Sequence, residues 1–90
     1  MKIVLTQHAL EQLERRRISV EWVEATVMQP QRRDPDPHDA ALERLYRAIP
    51  QMGNRVLRVV VCWSSAEECR VVTAFPDRNA ARDETEHKAR

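Results

Sequence analysis

His8 stands near the start of the stretch LTQHALEQLERRRIS, and Arg15, Arg16 and Arg17 stand at its end. An imidazole titrates near neutral pH, so it can take or give a proton there. A guanidinium can hold a phosphate through two parallel N–H bonds. These residue types suit cleavage of RNA by the neighbouring 2′-hydroxyl, which needs a proton acceptor, a proton donor and cations for the developing phosphorane, with no metal and no cofactor. His8 is the candidate acid or base and Arg16 the candidate phosphate ligand. Arg47 or Arg44, Tyr46 and Thr73, from segments further along, are candidate assistants. Which of them point the same way depends on strand register, because a slip of one residue reverses every side chain.

Each of these residues has a plain structural use as well. A histidine in the first turn of a helix often only bonds a neighbouring element. Cations at a helix C-terminus complement its dipole, by about 0.3–1 kcal/mol each. Tyr46 and Trp63 fit a core or an interface, and an aromatic content of 4% is too low for a single-strand surface built on stacking.

Composition sets the frame. Ninety residues, 42% hydrophobic and 32% charged, make one folded domain with a small core. The net charge of +1 does not by itself call for nucleic acid, so any such contact rests on the local cluster Arg15, Arg16, Arg17, Arg32 and Arg33. No Gly-rich phosphate loop, HExxH, GxSxG or paired CxxC motif occurs, which leaves nucleotide hydrolysis, zinc proteolysis and esterase chemistry without a positive sign. Cys62 and Cys69 lack metal-site spacing and read as apolar strand residues that could meet across a hairpin. Neither a signal-like N-terminus nor a membrane-length apolar run is present, so a cytoplasmic protein with no membrane contact is expected.

The elements that must position the candidates follow from pattern. Ile3, Val4 and Leu5 begin a short strand. Thr6 is a helix N-cap with Leu5 and Leu10 as a hydrophobic staple, and a helix runs from about Gln7 to Arg17. Ala9, Leu10 and Leu13 mark its inward side, while His8, Gln12 and Arg16 form an i, i+4, i+8 stripe beside it. Ser19 caps a second helix, stapled by Ile18 and Val23, that ends near Met28 and turns Trp22, Val23, Thr26 and Val27 inward. QRRDPDPHD reads as a loop or irregular edge strand. LERLYRAI, 42–49, is a strand whose Leu45, Arg47 and Ile49 alternate with Arg44, Tyr46 and Ala48. Gly53 marks a turn needing positive φ. RVLRVVVCW, 55–63, is apolar on both faces and belongs at the centre of a sheet, and CRVVTAF, 69–75, returns beside it. The fold class is therefore α+β: a short N-terminal strand, a two-helix hairpin on one face of an antiparallel meander, one domain over 1–77, and a polar tail or frayed helix over 78–90.

The pattern T-x-H-A-L-x-x-L-x-x-R-x-I-S, followed by an apolar helix and strands ending VVVCW and VVTAFP, resembles a family of small bacterial proteins known as domain of unknown function 4258. That family looks related to RelE/ParE-like toxins. The resemblance places its helix-start histidine on His8, its arginine before the Ile-Ser break on Arg16 and its strand-end threonine on Thr73. Two positions depart from it: Gln12 stands where an arginine is common, and Arg17 where a glycine is. The resemblance implies a metal-independent endoribonuclease or the toxin of a toxin–antitoxin pair, with RNA and an antitoxin as partners. The alternative is a non-catalytic module that binds a protein or forms a homodimer, through the edge beside the Pro-rich segment.

Overall fold

A computed structural model describes residues 1–78. β1 (Lys2–Leu5) leads into α1 (Gln7–Arg16) and α2 (Val20–Met28). β2 (Arg32–Pro35), β3 (Leu42–Ile49), β4 (Arg55–Ser65) and β5 (Glu68–Pro76) then follow as an antiparallel meander. The sheet order is β1-β5-β4-β3-β2, with β1 parallel to β5. This is the expected α+β architecture, with the apolar strand β4 in the middle. The tail expected over 78–90 lies, beyond Arg78, outside the described residues.

Both helices start as their caps dictate. Thr6 Oγ1 accepts from the Ala9 backbone N–H at 3.0 Å and Ser19 Oγ from that of Glu21 at 3.1 Å, each satisfying a first-turn donor that the helix cannot. α1 rests on β5, whereas α2 lies over β3 and β4. Because α1 sits at the border of the sheet, its inward stripe is narrower than the sequence pattern: Ala9 and Leu13 are buried, but Leu10 is 40% exposed on the flank. α2 buries Val23, Thr26 and Val27, with Trp22 packed beside them.

Register divides the sheet into two faces. Leu45, Ile49, Leu57, Val59, Val61, Val71 and Ala74 join the helices in the main core. Arg44, Tyr46, Arg58 and Val60 alternate with them and lie on the other face. The register left open by the sequence is thereby set: Arg44 and Tyr46 share a face, and Arg47 lies on the helix side. Cys62 pairs with Arg70 and Trp63 with Cys69, so the two cysteines fall on opposite faces and both thiols are free. Burial pushes the Cys69 thiol pKa up.

The segment expected to be a loop or irregular edge forms the four-residue edge strand β2, which ends on Pro35. Gly53 and Asn54 close the β3–β4 turn with φ of 69° and 62°. No helix among the described residues is long and apolar enough to cross a membrane.

Candidate functional site at the α1–β5 seam

β1 pairs with β5 only as far as Leu5 and Val71, where Thr6 turns the chain away into α1. Beyond that point no strand among the described residues lies beside the outer edge of β5, and α1 runs along it instead. The Ala74 carbonyl on this edge accepts from Arg16 Nη1 at 2.8 Å. A register irregularity opposite Val60 and Val61 leaves Val72 without a partner and shifts the parity of β5. Ala74 therefore enters the core opposite Val59, and Thr73 reaches Gln12 of α1.

Gln12 is the hub of the seam. Its Oε1 accepts from the Thr73 hydroxyl and from Arg16 Nη1, the latter at 3.4 Å, and its Nε2 donates to His8 Nε2 at 2.8 Å. The guanidinium can only donate, so it keeps Oε1 on its side and turns Nε2 toward His8. His8 Nε2 must then be the accepting nitrogen, which puts the ring proton of the neutral imidazole on Nδ1. The imidazole and the guanidinium are separated by one amide and two hydrogen bonds, on the order of 8 Å at most. Both are exposed.

Arg16 spends Nη1 on Ala74 and Gln12 and lies over the Phe75 ring at 5.7 Å. Its Nε and Nη2 hydrogens, the pair that makes a side-on bidentate grip, meet no acceptor among the described residues. A held guanidinium with an open fork is a ready ligand for an oxyanion.

Phe75 also carries Arg58 at 4.8 Å on its ring. Arg58 lies 5.6 Å from the centre of Tyr46, and Arg32 lies 4.4 Å from the same ring. Cations and aromatics thus alternate from α1 across the sheet to β2. Arg58 differs from Arg16 in one respect, since its Nε and Nη2 both close on Asp77.

Of the residues picked out from the sequence, His8, Arg16 and Thr73 come together through Gln12. Tyr46 is on the face away from the helices, buried beneath Arg32 and Arg58, and meets Arg16 only through the ladder. Arg47 is two strands from β5, where its Nη1 donates to the Gln29 carbonyl at 2.7 Å at the end of α2. Arg44 is held by Asp36 at 3.1 Å. Sequence reasoning did not pick out Phe75, Arg58 or Asp77 for the site, and it placed Gln12 on the stripe without giving it a role. Arg58 left a readable sign, the one charge inside the otherwise apolar run VLRVVV. Gln12 registered only as a missing cation, though an amide there can bond a base, a cation and a hydroxyl together.

A second polar cluster lies at the far end of β4. Glu43 accepts Arg33 Nη2 at 2.7 Å and Nε at 3.0 Å, as well as the Trp63 indole N–H at 2.9 Å. The hydrogen bonds from Arg33, then that from Trp63, hold the Glu43 carboxyl below its usual pKa. Shallow, open depressions of about 450 and 430 Å³ flank the indole. No group of three or more metal-ligating side chains occurs among the described residues.

No curated protein and no solved structure matches the chain. The model of a protein family, Domain of unknown function (DUF4258), matches residues 5–76, from Leu5 through both helices to the end of β5 at Pro76. That span takes in His8, Gln12, Arg16, Thr73 and Phe75, and the chain belongs to this family.

Proposed function

We propose that this protein is a metal-independent endoribonuclease of RelE-like type, or the toxin of a toxin–antitoxin pair, acting at the α1–β5 seam. The observation that carries the reading is the Gln12 bridge, which ties an exposed imidazole to an exposed guanidinium whose fork is open. The substrate 2′-hydroxyl takes the place of the Gln12 amide on His8 Nε2 and gives its proton to that nitrogen. Its oxygen then attacks phosphorus. The bond from phosphorus to the 5′-oxygen breaks, that oxygen takes a proton from solvent water as it leaves, and His8 returns its proton to the hydroxide so formed, so the products are a cyclic phosphate and a 5′-hydroxyl. The Arg16 fork binds the non-bridging oxygens as their charge grows. Thr73 is a positioning residue, since it holds Gln12 and does not touch the phosphate. Tyr46 and Arg47 lie outside this step.

The test is cleavage of a labelled RNA in excess EDTA by the wild type and by His8→Ala. We expect the variant to lose at least a hundredfold in rate with nearly unchanged Tm, because the side chain is exposed. An equal rate in the two proteins removes His8 from the mechanism.

The rival reading, a module that binds a protein partner or a second copy, gains one specific support: the Trp63 indole is pre-set by Glu43 between two shallow depressions, as a rigid anchor would be. Strand addition at β2 is less favoured, since this edge is short, ends in proline and carries the Arg32–Asp34 and Arg33–Glu43 ion pairs.

A further inference from the structure

The arginines of this fold sort by what their head groups touch. Arg32, Arg33, Arg44 and Arg58 each meet a carboxylate. Arg47 and Arg55 donate to backbone carbonyls. Arg70 on β5 is exposed and, among the described residues, has only the charge of Glu68 near it. At the end of α1 such arginines cluster. Arg15 and Arg17 are exposed and make no ion pair or hydrogen bond through their side chains among the described residues, and Arg16 between them has no carboxylate. Glu14, one turn before Arg17, forms no ion pair with it.

The helix dipole favours cations at this end and would account for Arg15. It favours a charge at Arg17 too, but does not explain why a strained C-cap position carries a side chain at all. That residue is the C-cap of α1, at φ 57° and ψ 43°, with its backbone N–H turned back to the Glu14 and Leu13 carbonyls. The left-handed conformation suits glycine, and an L side chain there is strained. Glycine would cap the helix equally well and relieve the strain. The chain instead holds a long, charged side chain at the position next in sequence to Arg16, and strain of this kind collects where a side chain has work to do.

We infer that Arg15 and Arg17 flank Arg16 as a track for the phosphate backbone of single-stranded RNA, each meeting a phosphate next to the one that Arg16 holds. This rests on the ribonuclease reading for its ligand, but it concerns binding and stands or falls by binding. Successive residues at a helix end fan out around the axis. A flexible single strand can bend around such a fan.

The probe is a fully 2′-O-methylated oligoribonucleotide, which has no free 2′-hydroxyl and cannot be cleaved. Its affinity is measured at several salt concentrations for the wild type, Arg17→Gly, Arg17→Lys and Arg15→Gln. Arg17→Gly should raise Tm by about 2–6 °C as the strain is lost. It should also weaken binding about fivefold near 0.1 M salt and lower the salt slope by about 0.7, the value of one phosphate contact on a single strand. Arg15→Gln should weaken binding similarly without the gain in Tm, and Arg17→Lys should bind within about twofold of the wild type. Unchanged affinity and slope in both Arg17→Gly and Arg15→Gln would overturn the track, as would a wild type that does not bind the probe. Binding with the predicted slopes from a protein that cleaves no RNA would sink the nuclease reading and leave the track standing.

Discussion

Arg16 and Arg33 sit at opposite ends of the sheet and begin alike, each with its guanidinium against an aromatic ring, Phe75 for the first and Trp63 for the second. They differ in what fills the fork. Glu43 closes the fork of Arg33 with two bonds and takes the indole N–H of Trp63 as well, so that fork is filled within the fold. Arg16 is held only by a carbonyl and an amide on one nitrogen, which leaves the other two facing outward. Stacking on a ring is therefore not the mark of a site in this protein. What sets the proposed site apart is a held cation without a carboxylate on its fork.

Arg58 extends the comparison and gives it its largest expected effect. It shares the Phe75 ring with Arg16, but its fork is closed by Asp77, and the two side chains are only 19% and 6% exposed. Arg58→Leu removes both guanidinium bonds from a buried carboxylate and should cost about 3 kcal/mol of stability, whereas Arg16→Leu, which gives up bonds at an exposed position, should cost about 1 kcal/mol or less. Urea unfolding of the two variants side by side checks this. Equal losses would mean that the open and closed forks do the same structural job.

A smaller effect sharpens the other end of the comparison. The Glu43 pKa is lower in the folded protein than the 4.5 of a free glutamate. Its ion pair and hydrogen bonds therefore contribute stability that is fully present above pH 4.5 and is lost as pH falls through the lower folded value. Arg33 is half exposed, so the contribution is no more than about 1 kcal/mol. Between pH 6 and 3 the wild type should lose more stability than Glu43→Gln. Parallel losses would show that the closed corner contributes nothing that titrates.

How much of this is legible in the sequence varies by the kind of interaction. The helices are readable because Thr6 and Ser19 are local signals acting within three residues of themselves. β4 is readable because only a central strand tolerates apolar side chains on both faces. The exposure of Leu10 is not, because it depends on α1 lying at the sheet's border, a fact of topology that helical periodicity does not contain. The site follows the same division. His8, Gln12 and Arg16 share a stripe by helical spacing alone, but their link to Thr73 needs the β5 irregularity, and the Arg16–Ala74 bond needs the early departure of β1 from the edge. Gln12 can be counted as a lost cation from the sequence. Only its geometry reveals an amide held by two donors and aimed at a histidine.

The open fork is tested most directly by replacing arginine with lysine at both corners, which keeps the charge and removes the planar two-pronged grip. The measurement is the affinity of Arg16→Lys and Arg33→Lys for the 2′-O-methylated oligoribonucleotide at one fixed salt concentration. An open fork at Arg16 predicts about a tenfold loss for Arg16→Lys, equivalent to about 1.4 kcal/mol, and no more than about a twofold change for Arg33→Lys. Equal affinities in the two variants, or a greater loss at Arg33, would contradict it.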